Sequence, residues 1–225
     1  INFYEQLLLI ILVYVISSIF IALPYYLSNY QITFFDSVFE SFSGITSTGF
    51  SIFENIKYLD PTLILWRSSS QWIGGLYFLI FLIIIFSNNQ YNFRLNHLVF
   101  TGNMGSFSKS NTKNILLQIF LVYSLLTLLI LIILSIGNVR LFNSLNLSMT
   151  IISNGGFLPT NSLDQIFLKD DRYILAIVLL IPTINIFFLF NLFNRKRIIS
   201  DHQEDLFLIA FISILSLIMF YSLKN

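Results

Sequence analysis

Residues 34–51 read FFDSVFESFSGITSTGFS, and residues 141–160 read LFNSLNLSMTIISNGGFLPT. At an offset of 107 residues the two stretches align without a gap and share six identities in sixteen positions. The identical pairs are Phe35 and Phe142, Ser37 and Ser144, Ser41 and Ser148, Ile45 and Ile152, Gly49 and Gly156, and Phe50 and Phe157. Internal repeats of this kind are typical of transport proteins built from repeated units around a shared pathway.

The composition around the repeat is strongly apolar. Of 225 residues, 56% are hydrophobic and 10% are charged, whereas a soluble domain is about 25% charged. So few polar side chains cannot cover the surface of a soluble domain of this size, which indicates a membrane protein. A net charge of +1 argues against a nucleic-acid partner. The absence of cysteine and the isolation of His97 and His202 argue against disulfides and a transition-metal site.

Five charge-poor runs are long enough to cross a membrane, which takes about 20 apolar residues. They cover residues 6–27, 62–86, 114–136, 173–193 and 206–223. We therefore predict an all-α polytopic membrane protein with five spans.

The orientation follows from the basic residues, because Lys and Arg accumulate on the cytoplasmic side of a membrane. The segments after the second and fourth spans carry Arg94, Lys109, Lys113, Arg195, Lys196 and Arg197. We expect both segments, and the start of the first span, on the cytoplasmic side of the plasma (inner) membrane.

The two repeated stretches lie on the outer side and are too short or too polar to cross. We predict that each is a re-entrant loop, with a short helix capped by Asp36 or Asn143 and then an extended polar strand. Non-helical backbone is tolerated at membrane depth where it lines a watery cavity. Ordinary extracellular turns are the alternative, since Thr-Gly and Gly-Gly are common there, but the repetition between spans favours re-entrant loops.

Backbone carbonyls can replace the hydration shell of potassium, and the C-terminal end of a short helix favours a cation. The predicted ion-binding residues are Thr46, Ser47, Thr48 and Gly49 in the first loop and Ser153, Asn154, Gly155 and Gly156 in the second.

Residues 39–51, FESFSGITSTGFS, followed by LWRSSSQWIGGL at 65–76, resemble the first pore loop and the next helix of the Trk/Ktr family of potassium transporters. NGGF at 154–157 resembles the second loop. The resemblance implies four span-loop-span repeats around one pore, with Gly49 and Gly156 as two of the four filter glycines.

On this basis the chain holds two repeats and the start of a third. The expected segments are a first repeat at 1–87, a cytoplasmic connector at 88–112, a second repeat at 113–194, a basic cytoplasmic loop at 195–205 and the first helix of a third repeat at 206–225. Because the chain starts at Ile1 and not at Met, we also expect sequence to precede it.

The predicted function is potassium uptake through a pore of which this chain supplies half. The remaining repeats or a second copy would complete the pore. We expect no cofactor, and K⁺ is the expected transported ion. We expect no enzymatic activity, because no Walker loop or nucleophile-base pair is found. The resemblance further implies a homodimer and a cytosolic nucleotide-binding regulatory subunit. The alternative is a non-conducting, truncated membrane scaffold or partner subunit.

Two features of the second span complete the expectations. Ser70 and Gly74 form a small-xxx-small pair, which predicts close helix packing. Arg67, near the outer end of that span, is expected to extend to the membrane surface as an anchor.

Overall fold

The structure, a computed structural model, describes residues 3–86, 112–167 and 172–183, and single positions at 207, 210, 211 and 214. The chain forms two compact units. The first contains Ile1–Asn88 and Tyr123–Pro182, and every contact discussed below lies within it. The second contains Asn89–Val122 and Thr183–Asn225. Its described part is the beginning of a long helix, Thr183 at the end of a 3₁₀ turn, and the four single positions, which are helical.

Three long helices occupy the positions of the first three predicted spans. They are α1 at Phe3–Tyr26, the helix Pro61–Phe86, and the helix Thr112–Ile136. The segments Tyr4–Tyr26 and Leu116–Ile136 are long and apolar enough to cross a membrane. Two such helices agree with a membrane protein.

Shorter helices lie between the long ones, so the chain order is α1, α2 at Phe34–Ile45, α3 at Pro61–Phe86, α4 at Thr112–Ile136, α5 at Leu141–Ile152 and α6 at Arg172–Leu180. Single 3₁₀ turns occur at Ile56–Tyr58, Leu163–Gln165 and Ile181–Thr183. The part of the chain that the structure describes contains helices and turns and no β-strand, in agreement with the predicted all-α class.

Several predicted segments lie wholly or partly outside the described residues. They are the connector at 88–112 up to its last residue, the fourth span beyond residue 183, the basic loop at 195–205 and, apart from the four single positions, the fifth span.

The predicted N-cap of α2 at Asp36 is wrong. The cap is Thr33, whose hydroxyl accepts a hydrogen bond from the Asp36 N–H at 3.2 Å and donates one to the Asp36 carboxylate at 2.6 Å. Asp36 therefore belongs to the first helical turn, where a carboxylate is favourable beside the helix N-terminus. The prediction of Asn143 is wrong by the same three positions, since α5 is preceded by Arg140, which makes no side-chain cap.

Helix α3 is the central element of the first unit, since it packs against α1, α2 and α5. An apolar cluster of Ile21, Tyr25, Ile45 and Leu63 joins the first three helices. The Trp66 indole N–H also donates to the carbonyl of Ile21 at 3.1 Å.

The small face of α3 makes the predicted close contact. A methyl group added at Gly74 would overlap the backbone of Ile45, at the end of α2. A methyl group at Gly44 would meet the Ser70 side chain in the same way. The small residues therefore allow α3 to approach the end of α2 closely.

Candidate cation site

The two repeated stretches fold alike, element by element. Helices α2 and α5 contain 12 residues each, and α5 lies 107 positions after α2. At about 1.5 Å per residue, 12 residues reach about 18 Å, well short of a bilayer core of about 30 Å. The 3₁₀ turns at Ile56–Tyr58 and Leu163–Gln165 have the same offset of 107. The sequence repeat is thus also a repeat of backbone structure.

Beyond each helix the backbone torsion φ alternates in sign over four residues. In the first loop Thr46 has a φ of −85°, Ser47 +53° and Gly49 +81°, while that of Thr48 is not positive. In the second loop the values are −87° at Ser153, +53° at Asn154 and +81° at Gly156, again with a φ at Gly155 that is not positive. Such alternation differs from the uniformly negative φ of a regular strand.

The same internal hydrogen bonds close both helices. The N–H of Thr48 donates to the carbonyl of Ser43 at 2.9 Å, and that of Gly155 donates to Thr150 at 2.8 Å. The hydroxyl of Thr46 donates to the carbonyl of Phe42 at 2.7 Å, as the hydroxyl of Ser153 does to that of Met149 at 3.0 Å. These bonds hold each loop against the end of its own helix.

The structure brings the two loops together at their glycines. A methyl group added at Gly49 would overlap the carbonyl oxygen of Gly155 and lie 3.6 Å from the Cα of Gly156. Gly155 is buried, Ser47, Gly49 and Ser153 are half-buried, and the other four predicted residues are exposed. The eight predicted residues therefore lie in two loops that contact each other.

Three oxygen groups of the predicted residues already have partners in the protein. The hydroxyls of Thr46 and Thr48 are hydrogen-bonded to each other, with 2.7 Å between the oxygens. The carbonyl oxygen of Gly155 accepts a hydrogen bond from Gln71 Nε2 at 2.6 Å, and Gln71 Oε1 accepts from the N–H of Phe157 at 3.1 Å. Helix α3, which belongs to the first repeat, thus holds the loop of the second.

A buried ion pair lies behind the first loop. Arg67 Nε donates to Glu40 Oε1 at 2.7 Å, and the two side chains are only 1% and 0% exposed. The prediction that Arg67 extends to the membrane surface is therefore wrong. The carboxylate of Glu40, two turns along α2, attracts the Arg67 guanidinium inward. The guanidinium has several N–H donors and finds several acceptors there.

The ion pair is part of a larger network. Arg67 Nη2 donates to the hydroxyl of Ser51 at 2.9 Å, and the Ile52 N–H donates to Glu40 Oε2 at 2.9 Å. The guanidinium also lies over the ring of Phe157, 4.3 Å from the ring centre, which is a cation–π distance. Through Arg67 the segment that follows the first loop is linked to the second loop.

This network and Gln71 were missed by the sequence reasoning. A charged residue in an apolar span, such as Arg67, signals a buried partner or a functional role, because lipid does not tolerate an isolated charge. Glu40 could have been identified as that partner, since it lies on the predicted short helix next to the span.

Among the described residues of the second repeat, no corresponding polar network is found. At the offset of 107, Leu147 takes the place of Glu40 and Leu158 that of Ser51. These two leucines border a cavity of about 360 Å³, together with Thr150, Ile151, Asn154, Gly156, Leu163, Leu175 and Leu179. Gly156 faces open space, because a methyl group there would have no neighbour within 4 Å.

The donors available at the site are oxygens of the backbone and of hydroxyl and amide side chains. Within residues 3–86, 112–167 and 172–183, no three His, Cys, Asp or Glu side chains come together as metal ligands. Neutral oxygens suit a weakly bound monovalent cation that must be released again, rather than a tightly held divalent metal.

Comparison with known proteins gives partial matches to cation transporters. An uncharacterized cation transporter of Methanocaldococcus jannaschii is 30% identical over 154 residues, which are 67% of this chain and 31% of that protein. The potassium uptake protein TrkI of Halomonas elongata is 40% identical over 73 residues, 32% of this chain and 15% of the relative. TrkG of Escherichia coli is 32% identical over 73 residues, with the same shares of 32% and 15%. No family model matches the chain.

The chain is a homologue of the Trk potassium uptake proteins. This confirms the family resemblance read from residues 39–51 and 65–76. The matched stretches of these Trk relatives and the cation transporter cover less than a third of their lengths. As a Trk homologue with two apolar helices of membrane-spanning length, it is related to proteins that take up potassium or other cations.

Proposed function

We propose that this chain supplies two pore-loop units of a potassium uptake transporter, in which backbone carbonyls of residues 46–49 and 153–156 bind the ion. The supporting observation is the repeated geometry: a short helix followed by four residues with φ alternating in sign, repeated 107 positions later. Two unrelated surface turns would have no reason to share this pattern. A common ligand that requires the same oxygens twice is a sufficient reason.

The direction of the short helices supports a cation as the ligand. Helix α2 ends at Ile45 and α5 at Ile152, directly before the two four-residue segments. The C-terminal end of a helix carries a partial negative charge. Two such ends close to one site attract a cation without a formal negative charge, so the ion can also leave.

The open side of the second loop supports a pore with further members. Gly156 and Asn154 border the cavity, and Gly156 has no neighbour where a side chain would be. In the first loop the same position, Gly49, is covered by Gly155. A further loop that covers Gly156 as the second loop covers Gly49 would extend the ring of carbonyls. We therefore propose that the remaining repeats, or a second copy, complete the pore.

The wider arrangement is part of the same proposal. The apolar runs and basic residues support five spans, with the start of the first span on the cytoplasmic side of the plasma membrane. The Trk relationship supports a homodimer and a cytosolic nucleotide-binding regulatory subunit. Relatives named as Trk system potassium uptake proteins make K⁺ the first ion to test.

Rubidium uptake tests the proposed function. Cells that lack their own potassium transporters are depleted of K⁺ and express either this chain alone or the chain in its native full-length context. We expect saturable rubidium uptake in the full-length context. Uptake by the chain alone would mean that two copies build the pore.

The control for expression is membrane insertion, measured by extraction of the protein with detergent but not with alkaline carbonate. An inserted full-length protein that takes up neither rubidium nor sodium would overturn the proposal and favour the non-conducting scaffold.

A further inference from the structure

Gln71 holds the second loop through both ends of its amide. Its Nε2 donates to the carbonyl of Gly155 at 2.6 Å, and its Oε1 accepts from the N–H of Phe157 at 3.1 Å. A glutamine amide combines donors with an acceptor, so one side chain can satisfy a carbonyl and an N–H together. Because Gln71 is fully buried, both bonds are protected from competing water.

The residue between these two bonds is Gly156. Its φ of +81° is a conformation that favours glycine, and no atom lies within 4 Å of the position that a Cβ would take. Side-chain packing at that position therefore does not hold Gly156 in place. The bonds from Gln71 to the residues on either side do.

The fit of the amide against the loop is close. A methyl group added at Gly155 would overlap the Gln71 amide, so the side chain lies directly on the glycine. Gly155 thus has a role that differs from that of Gly156, since its φ is not positive. The absence of a side chain at Gly155 leaves room for the Gln71 amide.

We infer that Gln71 is a positioning residue whose amide fixes the second loop and thereby sets the cation preference of the pore. This rests on the proposed function. The preference of a carbonyl site for K⁺ depends on the spacing and orientation of its oxygens. Gly155 and Gly156 supply two of the proposed carbonyl oxygens. Loss of the Gln71 bonds lets the spacing of these oxygens vary, which lowers selectivity before it prevents conduction.

The test compares Gln71→Met with the parent in the full-length context. Methionine keeps the length and the apolar stem but loses both bonds. We expect normal insertion, retained rubidium uptake and a rubidium-to-sodium uptake ratio lowered by at least about fivefold, the factor that corresponds to one of the two lost bonds. Gly155→Ala, which displaces the amide, is expected to lower the ratio in the same direction.

The matched control is Ser68→Ala, on the same helix and equally buried. The hydroxyl of Ser68 donates to the carbonyl of Ile64 within α3 at 3.2 Å. We expect its uptake ratio to equal that of the parent. An unchanged ratio in an inserted Gln71→Met variant that still takes up rubidium would overturn the inference.

A second readout does not depend on transport. Hydrogen exchange of a peptide that covers residues 153–160 reports the amide of Phe157, which Gln71 protects. We expect exchange at this amide to be at least about tenfold faster in Gln71→Met. If exchange is faster in Gln71→Met but the parent takes up no ion, Gln71 fixes the second loop and the proposed function is refuted. Unchanged exchange would show that Gln71 does not fix the loop.

Discussion

Gly49 and Gly156 share one backbone conformation but differ in their surroundings. Both have a φ of +81°, yet a methyl group meets the Gly155 carbonyl at Gly49 and nothing at Gly156. The backbone strain of an added side chain, about 1–2 kcal/mol, is common to both sites. The steric overlap belongs to Gly49 alone.

We therefore predict that, in this chain expressed alone, Gly49→Ala lowers the apparent melting temperature more than Gly156→Ala does. Melting of the detergent-purified proteins checks this. Equal losses in the two variants would show that the loops do not meet as described.

The buried ion pair gives the second prediction. Removing one partner leaves an uncompensated buried charge, which costs about 3–5 kcal/mol. Glu40→Leu, which copies Leu147 of the second repeat, is therefore expected to destabilise the protein strongly. The double variant Glu40→Leu, Arg67→Met is expected to lose clearly less stability than the sum of the two single variants. Thermal melts of all four proteins measure the coupling, and additive losses would mean that the two side chains do not interact.

At this scale the sequence predicts glycine positions well and polar partners poorly. A positive φ was predictable at Gly49 and Gly156, because glycine adopts it without strain. The equal φ of Ser47 and Asn154 was not, since the neighbouring helix end imposes a conformation that serine seldom adopts. The contacts of Gln71 depend on how α3 packs against a loop 84 residues away in sequence, which no local pattern encodes.

The close packing of α3 against the end of α2 at Gly74 can be tested by substitution. An exposed Gly→Ala change inside a helix normally stabilises it by about 1 kcal/mol. On α3 the added methyl group would overlap the backbone of Ile45, so we expect Gly74→Ala to lower the melting temperature. A higher melting temperature, as helix propensity alone predicts, would contradict the close packing of α3 on the end of α2.

Asn161 links the two repeats beyond the loops. Its Oδ1 accepts from the N–H of Ile56 at 2.7 Å, and its Nδ2 donates to Asn55 at 3.1 Å. The N–H of Lys57 also donates to Asn161 Oδ1, at 3.3 Å. Asn161→Asp keeps the acceptor, whereas Asn161→Ala removes all three bonds. We predict that the alanine variant loses more stability, on the order of 0.5–1.5 kcal/mol, and melts at the lower temperature. A greater loss for the aspartate variant than for the alanine variant would contradict the acceptor role.

Helix boundaries were the most predictable feature at this scale. The first three predicted spans begin and end within three residues of the helices α1, α3 and α4, because long apolar runs leave few alternatives. The caps were not, since Thr33 and Asp36 are both good N-cap residues. Their mutual hydrogen bonds place Thr33 at the cap and Asp36 inside the helix.

At the scale of the whole molecule, the apolar runs and basic loops predict the number and direction of the spans. The natural absence of cysteine allows a clean test, because each introduced thiol is the only one. We predict that a cysteine at Lys57 reacts with a membrane-impermeant maleimide in intact cells, and that a cysteine at Lys196 reacts only after permeabilisation. The unmodified chain serves as the unlabelled control, and the reverse pattern would contradict the orientation.

We propose that the backbones of residues 46–49 and 153–156 bind a monovalent cation. The most direct measurement is a crystal structure of the full-length protein in rubidium, with the ion located by anomalous scattering. We predict a rubidium peak beside the carbonyls of both loops, replaced by weaker or shifted density in sodium. Well-ordered loops with no rubidium between them, and rubidium bound elsewhere in the membrane region, would contradict the claim.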